Sequence, residues 1–119
     1  MDRKDFVEQF IKADEVINRK RISEIMNESI DSNLKDGNPR GHKNFIIVME
    51  EMAELIQEVS KELRGKGDYF DLLQELADVQ ISICYIQQIC KISDIDLMKA
   101  INVKIKRIEN ILKETGEFN

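Results

Sequence analysis

The chain has no tryptophan, one proline, one histidine and two cysteines in 119 residues, and each scarcity closes off a class of chemistry. A single histidine, His42, leaves no room for Ser-His-Asp or Cys-His nucleophilic catalysis. Cys84 and Cys90 stand six apart with no C-x-x-C spacing, which suggests neither a zinc site nor a disulfide framework; both read as buried small hydrophobes. No G-x-x-x-x-G-K-[ST] segment occurs, so P-loop chemistry is excluded. The longest unbroken apolar run, Phe45 to Met49, falls far short of the roughly 20 residues that span a bilayer. Behind Met1-Asp2-Arg3-Lys4 there is no apolar signal core, so the expectation is a soluble, cytoplasmic protein without a membrane partner.

What is present is a globular balance, 42% hydrophobic and 34% charged, over a length that makes one domain spanning residues 1–119. The net charge of −5 is unevenly spread. From Glu50 to Asp78 there are nine acidic residues against three basic, whereas Lys91 to Lys113 holds six basic against three acidic. No broad basic face exists for nucleic acid. A concentrated acidic patch beside a mildly basic segment instead suits a cation and the polyanion it carries.

Gly37-Asn38-Pro39-Arg40-Gly41, Gly65-Lys66-Gly67 and Gly116 punctuate the chain, and everything between them carries helical periodicity. Phe6, Phe10, Ala13 and Ile17, resumed by Ile22, Ile25 and Met26, predict one long or two short helices. Phe45, Val48, Met52, Leu55, Val59 and Leu63 predict a helix over about 42–64, closed by Gly65. Asp68 is placed to cap a third helix running to about Lys91, and Ser93 a last one carrying Leu97, Ile101, Ile105, Ile108 and Leu112. Between Val79 and Cys90, eight of twelve residues are apolar, so that stretch must be covered on every side and predicts a subunit interface. No strand alternation or repeat appears, and the expected fold is an all-α bundle of four or five helices, assembled as a homodimer or homotetramer.

Glu51 and Glu54 stand three apart on the second predicted helix, and Glu75 and Asp78 repeat that spacing on the third. With Met52 and Leu76 taken as the centres of the apolar stripes, each pair falls about 100° and 160° to one side. Antiparallel neighbours joined by a short glycine turn bring such flanks together, and four converging carboxylates repel unless a divalent cation lies among them. Oxygen-only ligands indicate Mg²⁺, with Mn²⁺ as substitute. A di-iron centre would need Glu-x-x-His pairs, which His42 does not complete. The competing explanation is an ordinary solvated acidic face, which Glu58 and Glu62 exemplify.

Glu50-Glu51-Met52-Ala53-Glu54, followed after 20 residues by Glu75-Leu76-Ala77-Asp78, resembles the E-E-x-x-E … E-x-x-D signature of the MazG-type all-α nucleoside triphosphate pyrophosphohydrolases. Relatives in that superfamily include dimeric dUTP pyrophosphatases, dCTP pyrophosphatases and phosphoribosyl-ATP pyrophosphohydrolases. Asn102-Val103-Lys104-Ile105-Lys106-Arg107 is similar to the N-x-K-x-x-R segment of MazG domains, although Ile108 stands where a second arginine is common. The motif-bearing core is 42–113. The resemblance implies Glu51, Glu54, Glu75 and Asp78 as Mg²⁺ ligands, Glu50 and Glu54 as catalytic carboxylates toward water, and Asn102, Lys104 and Arg107 as the residues that bind the triphosphate. The implied activity is Mg²⁺-dependent hydrolysis of a nucleoside triphosphate to monophosphate and pyrophosphate, in nucleotide-pool house-cleaning. A helical oligomerisation module and a divalent-cation-binding domain are the rivals from other classes.

Overall fold

Four of the five helices begin where a side chain supplies an acceptor for the free amides of the first turn, and the third begins at a glycine. The computed structural model describes residues 1–116 as five helices: α1 (Arg3–Lys12), α2 (Arg19–Lys35), α3 (His42–Leu63), α4 (Tyr69–Cys90) and α5 (Asp94–Thr115). Among the described residues there is no strand, and no helix is long and apolar enough to cross a membrane. Asn18 Oδ1 accepts from the Arg21 amide at 3.0 Å, which divides the first periodic segment into two helices. Asp68 Oδ1 accepts from the amides of Phe70 and Asp71, both at 3.1 Å, and Ser93 Oγ from that of Asp96 at 3.1 Å.

The turn between α3 and α4 reverses the chain, so the two form an antiparallel hairpin, and α1, α2 and α3 all pack on α4. Gly41 shows how closely the far end of the hairpin is packed. Its φ of +77° is left-handed, and a Cβ there would lie 2.7 Å from Ile89 Cγ2 at the end of α4. The fully enclosed core is small, comprising Met26, Ile30 and Val48 with the polar residues Asn33, Asn44 and Ser82. Asn33 Nδ2 donates to Asn44 Oδ1 and Asn44 Nδ2 donates to Ser29 Oγ, each at 3.2 Å, so a short amide chain ties α2 to α3. At the other end Phe10 packs edge-on against Phe70, and Arg3 pairs with Asp68 through Nε at 2.9 Å while lying over the Phe70 ring.

The apolar stretch Val79–Cys90 is mostly half-buried, with Ser82 buried and Ile81 39% exposed, and α2 and α3 supply cover for it within this chain. Two expectations need correcting. The stripe through Met52 is not the core face of α3. The half-buried to buried face is Asn44, Val48, Glu51, Leu55 and Glu58, whereas Phe45, Met52, Val59 and Leu63 are exposed. Cys84 is half-buried and Cys90 exposed.

The fifth helix stands apart. No residue of α5 is buried, and it packs extensively against none of the other four. Its start is held by Asp94, which accepts from Arg19 Nη1 at 3.3 Å and from Gln87 Nε2 at 2.9 Å. The radius of gyration is 17.3 Å, against about 13.5 Å for a compact chain of this length.

Candidate metal centre

Because Glu51 is two turns beyond buried Asn44, it shares the face of α3 that meets α4, and Glu54 lies one turn farther along the same side. On α4, Glu75 and Asp78 occupy the facing turns, and the antiparallel pairing sets Glu51 opposite Asp78 and Glu54 opposite Glu75. One oxygen from each of the four carboxylates lies within 4.8 Å of all the others. Glu51, Glu75 and Asp78 are half-buried and Glu54 is exposed at the mouth. The four residues expected to converge do so.

Their electrostatics are those of a site lacking a counter-charge. Burial, then repulsion from Asp78 and Glu54, pushes Glu51 up to about 7. Burial, then repulsion from Glu54 and Asp78, takes Glu75 to about 7 as well. Asp78 is raised by burial and by Glu54, and a hydrogen bond to Glu51 opposes the rise. None of the ion pairs among the described residues involves any of the four. Oε2 of Glu51 and Oε2 of Glu75 are buried and accept no hydrogen bond, so lone pairs that have left water go unused. A divalent cation with oxygen ligands fits that donor set, and hard cations accept carboxylates of this arrangement.

The other expected site residues are placed differently. Glu50 is exposed and outside the cluster, one residue out of phase with Glu51. Asn102, Lys104 and Arg107 are exposed on α5, and among the described residues the cavity that Lys104 and Arg107 line is bounded by α5 residues alone. His42, the first residue of α3, is exposed. Glu58 is not ordinary surface: its side chain is only 13% exposed, Oε1 takes a 3.0 Å bond from Lys61 Nζ, and Oε2 is buried without a partner. Gln74 Oε1, on α4, is likewise buried and unpartnered. The signal for Glu58 was its spacing of seven from Glu51, which keeps it on the face that meets α4. A cleft of about 380 Å³ between α2, the end of α4 and the start of α5 holds none of the four carboxylates.

Set against protein-family models, curated proteins and solved structures, the chain matches none. The resemblance to the MazG-type enzymes therefore rests on the motif residues themselves.

Proposed function

We propose that this protein is a Mg²⁺-dependent nucleoside triphosphate pyrophosphohydrolase, releasing pyrophosphate and a nucleoside monophosphate, with a house-cleaning role and a homodimeric or homotetrameric assembly. The observation that carries the reading is the four-carboxylate cluster with buried, unpartnered oxygens on Glu51 and Glu75. Glu51, Glu54, Glu75 and Asp78 would hold the cation. Bound there, Mg²⁺ supplies positive charge for the phosphate oxygens and acidifies a water. Exposed Glu54, at the mouth, is the carboxylate best placed to take the proton of a water attacking between the α and β phosphates, and Glu50 on the adjoining surface is the alternative base. Lys104 and Arg107 would stabilise the charge developing on the departing pyrophosphate, Arg107 through its planar fork.

One observation favours a second reading. The basic residues of α5 join neither the cluster nor any ion pair with it, as in a domain that binds a divalent cation without catalysis. Pyrophosphate release, measured across the common ribo- and deoxyribonucleoside triphosphates with Mg²⁺, Mn²⁺ or chelator, separates the two. Orthophosphate as the primary product, or no turnover with saturating metal, would refute the pyrophosphohydrolase.

A further inference from the structure

The cleft of about 380 Å³ at the root of α5 is separate from the carboxylate site. At about 100° per residue, its α4 residues Cys84, Gln87 and Lys91 lie roughly 150–170° around the helix from the midpoint of Glu75 and Asp78. The cleft thus opens on the other side of α4 from the cluster, and a ligand there is not one held by the cluster's cation. Two cross-ties fix its walls. Gln88 Nε2 donates to Asn27 Oδ1 at 2.8 Å, which joins α4 to α2, and Asp94 accepts from Arg19 Nη1 and Gln87 Nε2, which joins the start of α5 to both.

Charge selects the occupant. One acidic residue, Asp94, lines the cleft, against two basic, Arg19 and Lys91. Asp94 Oδ1 is already shared by two donors. Arg19 gives it a single 3.3 Å bond and keeps its other N–H groups, and Lys91 has no ion-pair partner among the described residues. Beside these cations the wall is apolar, with half-buried Ile22 and Cys84 and with Ile92, 41% exposed. A fixed cleft of this volume, in which a few polar groups converge beside an apolar wall, has the form of a small-molecule site, and the excess of guanidinium and ammonium selects an anion. We propose that it binds a small organic anion, a phosphate or carboxylate group on an apolar body no larger than a nucleoside, with Arg19 and Lys91 holding the charge and Ile22, Cys84 and Ile92 the body. Such an occupant bridges α2 to the start of α5, a helix with no buried residue of its own. Neither the cleft nor its charge depends on the pyrophosphohydrolase reading.

The two thiols of the chain supply the test, since Cys84 lines the cleft and exposed Cys90 does not. With the full-length chain in chelator, alkylation by N-ethylmaleimide is followed at each cysteine by mass spectrometry in phenyl phosphate, inorganic phosphate or benzyl alcohol. Phenyl phosphate at ten times its dissociation constant should slow Cys84 about tenfold and leave Cys90 unchanged, while the anionic and apolar halves alone protect far less. Arg19→Gln and Lys91→Gln should each raise the concentration for half protection about tenfold, the loss of one charge-assisted hydrogen bond. Calorimetric titration of phenyl phosphate into wild type and the Arg19→Gln, Lys91→Gln double variant reads the same site without the thiol. Equal protection or equal heat in wild type and double variant, protection by inorganic phosphate as strong as by phenyl phosphate, slowing of both cysteines alike, or no binding of phenyl phosphate by either measurement would overturn the site. Pyrophosphate release by a protein whose cleft binds nothing would leave the proposed activity standing and remove only the cleft.

Discussion

Removing divalent cation and raising the pH from about 5 to about 8 should weaken this fold, through carboxyl groups whose native protonation is lost over that range. Glu51 and Glu75 titrate at about 7 in the folded chain, raised from 4.5 by burial and by the carboxylates around them. Between those two values the folded chain holds protons that the unfolded chain has released, so stability falls as the pH rises and the loss is complete above about 7. At about 1.4 kcal/mol per pH unit, one such group alone corresponds to about 3 kcal/mol at most. The two share much of the same repulsion and the cluster opens to water at Glu54, so about 1–3 kcal/mol is expected for the pair. For a domain of this size that lowers the thermal midpoint by about 4–12 °C. Mg²⁺ at a hundred times its dissociation constant restores about 2.7 kcal/mol, and does so at the alkaline end, where the ligands are free of protons. Circular dichroism melts in chelator and in Mg²⁺ across this pH range provide the assay, with the Glu51→Gln, Glu75→Gln double variant as the reference for every other titrating group. If wild type and double variant lose stability in parallel, or if Mg²⁺ stabilises as strongly at the acid end as at the alkaline end, the cluster is not where the protons are held.

Asp78→Asn or Glu54→Gln should abolish most pyrophosphate release while raising the metal-free melting temperature, because each removes a repelling charge; retention of wild-type turnover at saturating metal would exclude that residue as a ligand. Arg107→Ala should lower kcat/KM by about 1–3 kcal/mol with little change in metal affinity measured without nucleotide, whereas Lys104→Ala should lose less, since a flexible ammonium is more easily replaced. Loss of triphosphate binding without loss of monophosphate binding in these variants marks a phosphate clamp. Gly41→Ala should destabilise the fold by about 1–3 kcal/mol in urea titrations, as φ of +77° and the nearby Ile89 leave no strain-free place for a methyl group.

Helix boundaries were legible because Asp68 and Ser93 are side-chain caps and Gly65 and Gly116 take left-handed backbone, all local chemistry. The carboxylate cluster was legible for a related reason: two i, i+3 pairs across a tight hairpin can hardly avoid each other. The rotation of α3 was not. Phe45, Met52, Val59 and Leu63 are as periodic as any core stripe, and periodicity does not distinguish apolar residues that cover their own core from those left on the surface. Taking Met52 as the inner face put Glu51 on a flank and Glu58 in solvent, when Glu51 in fact faces Asp78 of α4 and the Glu58 side chain is only 13% exposed. The separation of α5 was equally hidden, since nothing in Leu97, Ile101 or Ile105 reports which surface they will find.

The buried amide chain on α2 and α3 sets the angular phase of the site. Asn44 and Glu51 are seven residues apart, so whatever fixes the azimuth of one fixes that of the other to within about 20°. Asn44 is fully enclosed, with its carbonyl and amide groups each committed to a partner on α2, and rolling α3 about its axis would break both bonds at once in a place water does not reach. A leucine of similar volume would tolerate such a roll. The polar core thus works as an indexing pin: it allows only one of the two apolar-rich sides of α3 to face inward, and keeps Glu51 turned toward α4 before any cation is there to hold it.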